Sequence, residues 1–277
     1  MIIDGKKIAA EILREVKIKV AALPFQPVFC DVLVGDDPVS ALFVRIKAKT
    51  AEAVGIKFHH AQYPADISSG ELVAQIKIIG QLKDLCGLIV QLPLPADLPR
   101  VEILDAIPSE LDVDVVGGES SRKFYAGQQI LLPPTAAAIL TILETLPEGW
   151  RRQKILVLGQ GELVGRPVAH LLRQQGLDVT TADRSTPDLP GHLRQADIII
   201  SAAGQGRMIT GDLVKPGAIV IDAGTSELGG GIVGDADFDS LSARVSFITP
   251  VPGGVGPVTV AKLLENVLLV AEQKHKI

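Results

Sequence analysis

Cysteine is scarce in this chain of 277 residues. The two cysteines, Cys30 and Cys86, each lie within an apolar run. Two widely separated cysteines provide neither a disulfide framework nor the spacing of a zinc site. A thiol in an apolar run usually packs as a small hydrophobic side chain. We therefore expect two free, buried thiols, no metal, and a reducing, cytoplasmic environment.

Long hydrophobic runs are also missing, and basic residues are not in excess. No apolar run approaches the roughly 18 residues that a membrane-spanning helix needs. The N-terminal stretch places charges among its apolar residues, as an amphipathic helix does and a signal peptide does not. The chain has 27 Lys and Arg against 32 Asp and Glu, a formal net charge of −5. We therefore expect neither nucleic acid nor a membrane as a partner.

Hydrophobic residues make up 47% of the chain, which suffices for the core of a globular protein. Short β-branched runs alternate with helical patterns, and this alternation is typical of α/β folds with parallel sheets. Strands are predicted at residues 28–34, 56–61, 87–92, 154–159, 178–182, 197–203, 218–224 and 245–250. Helices are predicted at residues 5–22, 39–54, 68–82, 134–146, 163–175 and 257–273.

The alternation stops between Ile107 and Pro134, where Gly, Pro and Ser cluster. This composition is typical of a connection between sheets. The length also fits two domains better than one or three. We therefore divide the chain near residue 120 into a first α/β domain and a second domain of the nucleotide-binding type.

A glycine-rich turn follows the strand predicted at 154–159. Gly159, Gly161 and Gly165 are spaced G-x-G-x-x-x-G, one residue longer than the dinucleotide fingerprint. Such glycines let the backbone approach a pyrophosphate, and the helix that follows offers free N–H groups. A plain tight turn gives the same pattern. Asp183, at the end of the next strand, stands where the fingerprint places a ribose-binding carboxylate, so a dinucleotide site is predicted.

The same carboxylate bears on the choice of dinucleotide. Asp183 would repel the 2′-phosphate of NADP by roughly 2–3 kcal/mol at ~6 Å and an effective dielectric of ~20. The residues therefore favour NAD. The adjacent Arg184 could instead pair with that phosphate, which leaves NADP open. Without a ligand, Asp183 would be a solvated turn residue.

One lysine shares the apolar face of the helix predicted at 39–54. At about 100° per residue, that face contains Ser40, Phe43, Lys47, Ala51 and Val54, whereas Arg45 and Lys49 lie opposite. Burial disfavours the charged form of a lysine, so Lys47 is a candidate for proton transfer. The alternative is a lysine whose stem covers the core while its ammonium reaches water.

Other polar or flexible groups occur near predicted strand ends. Gln91 follows the run GLIV, where an amide can orient a ligand. Asp112 and Asp114 alternate with valines, so both could point to one side of an extended segment. Residues 249–259 contain three prolines and three glycines, a stiff segment that lets a ligand approach the backbone. Each polar residue could equally be an ordinary loop residue.

Together these residues resemble the bifunctional methylenetetrahydrofolate dehydrogenase/methenyltetrahydrofolate cyclohydrolase family, from about Asp4 to Ala271. The matching segments are VGDDPVSALFVRIK, GLIVQLPLP, KPGAIVIDAG, GDADF and ITPVPGGVGPVT. The resemblance implies two α/β domains around a cleft, the second a Rossmann-type dinucleotide-binding domain, and a homodimer. It implies a folate-binding catalytic domain at 1–120, completed by a C-terminal helix at 259–277, and an NAD(P)-binding domain at 121–258.

The resemblance also implies the reactions and the residues. Methylenetetrahydrofolate would be oxidised with NAD(P), and the methenyl product hydrolysed to formyltetrahydrofolate. The active-site lysine falls on Lys47, its glutamine partner on Gln91 and the acid that holds the pterin on Asp114. Further folate contacts fall on Phe43, Pro252, Gly253 and Gly254. Cofactor contacts fall on Gly159, Gln160, Gly161 and Thr225.

Several positions depart from the family pattern. Phe43 replaces a tyrosine and loses its hydroxyl, and residues 111–115 read LDVDV instead of KDVDG. Gln160 replaces an arginine that typically binds the 2′-phosphate, and residues 183–186 read DRST instead of HSRT. These changes weaken the family's usual choice of NADP. They also leave open a dehydrogenase without cyclohydrolase activity, or a non-catalytic protein that binds folate and dinucleotide.

Overall fold

A computed structural model describes residues 1–228 and 231–275. These residues form two compact units, each with its own parallel sheet. The three-stranded unit comprises Glu11–Pro134 and the chain from Val260 onward, and the five-stranded unit comprises Met1–Ala10 and Thr135–Thr259. The α/β class with parallel sheets is therefore confirmed.

The three-stranded unit has the order β2-β1-β3. Its strands are β1 (Val28–Val34), β2 (Lys57–Tyr63) and β3 (Leu85–Val90). The helices between and after them are α2 (Pro38–Ala53), α3 (Ser69–Ile79), α4 (Arg100–Asp105) and α5 (Gly118–Tyr125). All of β3 is buried, as is typical of parallel strands covered on both faces. Asp37 accepts from the Ser40 amide and so caps the first turn of α2.

The five-stranded unit has the order β10-β7-β6-β4-β5. Its strands are β4 (Ile155–Leu158), β5 (Val179–Ala182), β6 (Ile198–Ser201), β7 (Ile219–Asp222) and β10 (Phe247–Ile248). Its helices are α6 (Pro134–Glu144), α7 (Gly165–Gln174), α8 (Leu189–Gln195) and α9 (Phe238–Ser242). The chain leaves β4 for β5 on one side and returns to β6 on the other. Ligands bind at such a switch point, beyond the carboxyl ends of the strands.

The terminal helices are α1 (Gly5–Ala21) and α10 (Val255–His275). An antiparallel pair, β8 (Ser226–Leu228) and β9 (Gly231–Val233), and two short 3-10 helices, Trp150–Arg152 and Gly211–Leu213, complete the described elements. The C-terminal helix was predicted to extend to residue 277, but Lys276 and Ile277 lie outside the described residues. No helix in the described part of the chain combines the length and hydrophobicity that crossing a membrane requires.

The predicted strands and helices all occur, with ends shifted by a few residues. The stretch from Ile107 to Pro134, predicted as a connection, contains the helix α5. The three-stranded unit extends to Pro134, whereas the sequence suggested a division near residue 120. The reason is that the Gly117 amide and the Ser120 hydroxyl both donate to Asp112, which anchors α5 to the first unit.

Both cysteines are buried and free, as predicted. Burial raises the pKa of the Cys30 thiol to about 12 and that of the Cys86 thiol to about 11. Neither thiol therefore ionises readily near neutral pH.

Candidate active site

Helix α2 buries the ammonium of Lys47. The residue is 8% exposed, and its Nζ lies 2.6 Å from Asp31 Oδ2 and 2.7 Å from Gln91 Oε1. Its predicted place on the inner face is confirmed, and Arg45 and Lys49 are exposed as predicted. The ammonium is held by two protein groups, so the alternative of a lysine reaching out to water is wrong.

Phe43 does not share that buried face. It is 36% exposed, whereas the buried residues of α2 are Ser40, Val44, Lys47 and Ala51. The prediction placed Phe43 inward because the helical projection puts it about 60° from Ser40. The centre of the buried face, however, lies closer to Val44 than to Phe43. The aromatic ring therefore lies at the edge of the face, where a ligand can reach it.

Asp31 is a member of this site that the sequence analysis missed. It lies on β1 with no exposed surface, on the same side of the strand as Phe29 and Leu33. Burial raises the pKa of its carboxyl, and the Lys47 ammonium opposes that rise. The available signal was a single acidic residue inside the apolar run VFCDVLV.

Gln91 follows β3 directly and connects it to Lys47. Its backbone N–H donates to the Val32 carbonyl over 2.8 Å, which fixes its position beside β1. Its Oε1 accepts from Lys47, and its Nε2 donates to the Leu92 carbonyl over 2.5 Å. The contact between Gln91 and Lys47 is the one that the resemblance implied.

The segment with Asp112 and Asp114 is a turn, so the prediction of an extended segment is wrong. Asp112 is buried. Its Oδ2 accepts from two groups that follow it in the chain, the Gly117 amide, 2.8 Å away, and the Ser120 hydroxyl. Asp114 is half-buried. Burial and the neighbouring Asp112 raise the pKa of Asp114 to about 6, while the nearby Lys47 ammonium opposes this rise. The Lys47 ammonium therefore lies within electrostatic range of Asp114.

Helix α10 fixes the position of this acidic turn. The Asn266 side chain donates to the carbonyls of Val113 and Leu132, each over 2.8 Å. On β3, a Cβ at Gly87 would lie 2.8 Å from Val267 Cγ2, so the helix packs closely on the strand. Asn266 is a positioning residue that no local pattern revealed, because its partners lie more than 130 residues away.

The glycine turn of the five-stranded unit fits a dinucleotide pyrophosphate. Gly159 has a φ of +97°, and a Cβ there would lie 2.2 Å from the Ala202 carbonyl oxygen. A Cβ at Gly165 would lie 1.9 Å from the Gly159 carbonyl oxygen, whereas a Cβ at Gly161 would meet open space. Val164, which precedes α7, offers no capping side chain. In the first turn of α7, Arg166 donates its N–H to the Gly161 carbonyl over 3.1 Å and Pro167 has no N–H. Fewer N–H groups than the sequence suggested are therefore open to an anion, and the Gly165 N–H is the one at the start of the helix.

Asp183, Arg184 and Gln160 lie next to this turn. Gly159 donates to the Ala182 carbonyl over 2.8 Å, which brings the end of β5 beside it. Hydrogen bonds from the Ser185 hydroxyl and amide lower the pKa of Asp183, which is therefore a carboxylate at neutral pH. Arg184 is exposed. Gln160 donates to the Gly159 carbonyl over 2.7 Å.

Two buried carboxylates, both missed by the sequence analysis, shape the loops beyond β6 and β7. Asp235 accepts from the Ser201 hydroxyl and the amides of Ala203 and Gln205, all within 2.7 Å. Asp222 accepts from the Gly224 amide over 2.8 Å, immediately before the exposed Thr225. These bonds fix the backbone that precedes Thr225.

The segment with Pro252, Gly253 and Gly254 lies against the start of α1. Gly253 has a φ of +108°, and a Cβ at Gly5 would lie 1.8 Å from the Gly254 carbonyl oxygen. The predicted site residues thus form two groups. The three-stranded unit contains Phe43, Lys47, Gln91 and Asp114. The five-stranded unit contains Gly159, Gln160, Gly161, Asp183, Arg184, Thr225, Pro252, Gly253 and Gly254. Among the described residues, neither group contains a cluster of three or more His, Cys, Asp or Glu side chains that could hold a metal ion.

Comparison with known proteins gives matches along the whole chain. The family model "Tetrahydrofolate dehydrogenase/cyclohydrolase, catalytic domain" matches residues 3–114, and the "NAD(P)-binding domain" model of the same name matches residues 133–275. The bifunctional protein FolD of Bordetella avium is 40% identical over 276 residues, covering 98% of this chain and 97% of that protein.

Solved structures agree with these matches. The bifunctional enzyme FolD of Campylobacter jejuni has a TM-score of 0.94 at 37% identity, with 99% of each chain covered. The Trypanosoma brucei dehydrogenase-cyclohydrolase, crystallised with NADP and an inhibitor, has a TM-score of 0.94 at 32% identity, covering 100% of this chain and 99% of that one.

Proposed function

The chain belongs to the tetrahydrofolate dehydrogenase/cyclohydrolase family, and we propose that Lys47 and the glycine turn carry out that family's two reactions in this protein. It is an enzyme of one-carbon folate metabolism, a methylenetetrahydrofolate dehydrogenase and methenyltetrahydrofolate cyclohydrolase. The observation that supports our assignment of residues is the buried Lys47 ammonium, held between Asp31 and Gln91.

Lys47 transfers protons in the cyclohydrolase reaction. The methenyl substrate is a cation whose bridging carbon is attacked by water. In its neutral form, Lys47 takes a proton from that water and later gives it to the ring nitrogen that leaves. A neutral amine also avoids placing a second positive charge beside the cationic substrate. Gln91 holds Nζ in position for both transfers.

Asp114 and Phe43 bind the pterin in this proposal. A carboxylate matches the ring N–H and amino donors of a pterin, which suits the ionised form of Asp114. The accessible ring of Phe43 offers a stacking face for an aromatic ligand. Pro252, Gly253 and Gly254 provide a backbone surface that folate can approach, because Gly253 and Gly254 have no side chains.

The glycine turn and the N-terminus of α7 bind the dinucleotide pyrophosphate, with Gly159, Gln160 and Gly161 against the phosphates. A bound dinucleotide would supply the nicotinamide as the hydride acceptor for the methylene carbon. The backbone of Thr225 would hold the nicotinamide amide. Asp183 binds the ribose hydroxyls and favours NAD over NADP through its negative charge, although the exposed Arg184 offers a phosphate partner.

The protein acts as a cytoplasmic homodimer on tetrahydrofolate derivatives in this proposal. The two free buried cysteines are consistent with a reducing compartment. Light scattering coupled to size exclusion measures the assembly directly. A mass near 29.3 kDa, that of one chain, would contradict the dimer.

The proposed role of Lys47 is tested by hydrolysis of methenyltetrahydrofolate with the purified enzyme. We expect Lys47→Met to lower the catalysed rate at least about 100-fold, because a positioned proton carrier contributes on this scale. The matched control is Lys49→Met, which removes an exposed lysine from the same helix and leaves the rate unchanged.

Two outcomes would contradict this assignment. If Lys47→Met hydrolyses the substrate as fast as the unmodified enzyme, Lys47 is not the proton carrier. If the unmodified enzyme oxidises methylenetetrahydrofolate but hydrolyses the methenyl form only at the uncatalysed rate, the chain is a dehydrogenase alone. Phe43, which lacks a hydroxyl, is the observation that favours this second candidate.

A further inference from the structure

Asp31 is an acidic residue within a strand that is otherwise filled by apolar side chains. Every residue from Phe29 to Val34 is buried, and Asp31 itself has no exposed surface. Apart from the Lys47 ammonium, no donor among the described residues bonds either of its carboxylate oxygens. Replacing a buried ion pair by apolar side chains is often neutral or stabilising. The carboxylate therefore points to a role that stability alone does not explain.

The pair of Asp31 and Lys47 contains one proton that can move. With Nζ 2.6 Å from Oδ2, transfer breaks an Nζ–H bond and forms an Oδ2–H bond. The net charge of the pair is zero before and after transfer, and the product has no separated charges. A dry environment favours such a neutral product. The raised pKa of Asp31, caused by burial, is consistent with a carboxyl that accepts a proton.

We propose that Asp31 is a positioning residue that acts through Lys47, taking the ammonium proton so that a neutral amine faces the substrate. This inference rests on the proposed proton-transfer role of Lys47. The neutral amine takes a proton from water as the water oxygen bonds to the methenyl carbon. Lys47 then gives that proton to the departing ring nitrogen, the second water proton leaves to solvent, and Asp31 returns its proton to Lys47.

Four further titratable groups lie near the pair of Asp31 and Lys47. Lys47 faces Asp31 from α2, and His60 lies opposite Asp31 across the β1–β2 register. Asp114 belongs to the acidic turn, and Asp112 and both members of the pair influence its carboxyl. Cys30, next along β1, points to the other side of the strand. His60 is exposed and Asp112 is bonded to α5, so neither replaces Asp31 as a partner of Lys47.

A shared proton has a distinct effect on the pH profile. The fraction of the pair in the neutral form does not depend on pH, because transfer within the pair exchanges no proton with solvent. An enzyme without the Asp31 carboxylate must release the Lys47 proton to solvent instead. Its rate then rises with pH, since the neutral amine becomes more abundant.

The experiment compares the cyclohydrolase kcat of the unmodified enzyme with those of Asp31→Asn and Asp31→Glu between about pH 6.5 and 8.5, after the uncatalysed rate has been subtracted. We expect a nearly constant kcat for the unmodified enzyme. For Asp31→Asn we expect a kcat about tenfold lower at neutral pH that rises about tenfold per pH unit, with KM within about threefold. Asp31→Glu restores the level profile, and His60→Gln leaves it level.

A parallel profile for Asp31→Asn and the unmodified enzyme would overturn the proposal. Thermal unfolding controls for damage to the fold. We expect Asp31→Asn and Asp31→Val to unfold below the midpoint of the unmodified protein, because each leaves the buried Lys47 ammonium without its anionic partner. If Asp31→Asn does not fold, Asp31→Val and Asp31→Glu supply the same comparison. If the unmodified enzyme itself shows only the uncatalysed rate, the cyclohydrolase assignment fails before the role of Asp31 is reached.

Discussion

The side-chain amide of Gln91 accepts from the Lys47 ammonium at Oε1 over 2.7 Å and donates from Nε2 to the Leu92 carbonyl over 2.5 Å. Because a carbonyl oxygen can only accept, the amide is fixed in one orientation, with its oxygen toward the ammonium. The Lys47 ammonium is therefore held by a side chain whose own orientation is set by the backbone.

This arrangement predicts the effect of two substitutions at Gln91. We expect Gln91→Ala to lower the cyclohydrolase kcat by about tenfold, because Nζ loses a positioned acceptor. Gln91→Glu retains the acceptor but adds a second carboxylate that favours the charged form of Lys47, so we expect a larger loss. Steady-state kinetics at neutral pH measure both. Equal activity of Gln91→Glu and the unmodified enzyme would contradict the requirement for a neutral amine.

The ion pair between Asp31 and Lys47 predicts a non-additive stability cycle. Lys47→Met leaves Asp31 buried without its partner, and we expect the free energy of unfolding to fall by roughly 3 kcal/mol. The double variant Lys47→Met/Asp31→Val regains most of this loss, because no unpaired charge remains. Urea unfolding of the two single variants and the double variant measures the coupling. Simple addition of the two single effects would show that the pair does not act as a unit.

The decrease in the free energy of unfolding caused by Lys47→Met should also depend on pH. Burial raises the folded-state pKa of Asp31, and removing Lys47 removes an interaction that lowers it. The folded state therefore retains the Asp31 proton more tightly than the unfolded chain does. We expect the deficit of Lys47→Met to shrink as pH falls and to grow as pH rises.

The ionised carboxylate of Asp114 should lower the stability of the fold while it favours folate binding. Its pKa is raised from 3.8 to about 6, so its favourable contribution to stability is present below pH 3.8 and is lost as pH rises through about 6. We expect Asp114→Asn to be more stable than the unmodified protein at pH 8 but not at pH 3.5, and to have a higher KM for folate. Urea unfolding at both pH values and steady-state kinetics measure these effects. Glu119→Gln, which removes an exposed carboxylate, is the control. A loss of stability at pH 8 would contradict the burial argument.

The glycine turn predicts different outcomes for two similar substitutions. Gly159→Ala places a Cβ 2.2 Å from a carbonyl oxygen at a φ of +97°, so we expect a loss of about 2 kcal/mol or more in stability. Gly161→Ala meets open space, and we expect less than about 0.5 kcal/mol. Thermal unfolding measures the stability of both variants. Dinucleotide titration measures binding, which we expect the methyl group of Gly161→Ala to weaken. Equal stability of the two variants would contradict the geometry.

The charge of Asp183 predicts the choice of dinucleotide. We expect a lower KM for NAD than for NADP, and we expect Asp183→Ser to narrow that difference by removing the repulsion of the 2′-phosphate. Arg184→Ser is the matched control, because it should widen the difference if Arg184 pairs with that phosphate. Initial rates with both dinucleotides measure the ratio. A lower KM for NADP in the unmodified enzyme would overturn the preference.

The sequence predicted elements with long periodic patterns well and short elements poorly. The burial of Lys47 followed from the period of α2. Phe43 was assigned to the same face because a helical projection gives angles but not the centre of the packed face. The alternation of Asp112 and Asp114 suggested a strand, but Asp112 bonds to Gly117 and Ser120 instead. A side-chain bond of this kind overrides a local pattern.

The partner of Lys47 could not be derived from the helix alone. Periodicity identifies which side of α2 is buried, but not which residue of a neighbouring strand lies opposite Lys47. Asp31 belongs to β1, and only the packing of α2 on that strand brings the two together. Asn266 was missed for the same reason, because its bonds to the acidic turn depend on where α10 packs.

The three-stranded unit is built from two distant parts of the chain, and this has a consequence for its synthesis. A ribosome finishes β1, β2 and β3 long before it reaches Val260, yet α10 is the helix that packs on Gly87 and bonds to the acidic turn. A nascent or prematurely stopped polypeptide therefore presents a bare strand and a loosely held turn to chaperones and proteases. The surroundings of Lys47 are therefore complete only after α10 has been synthesised.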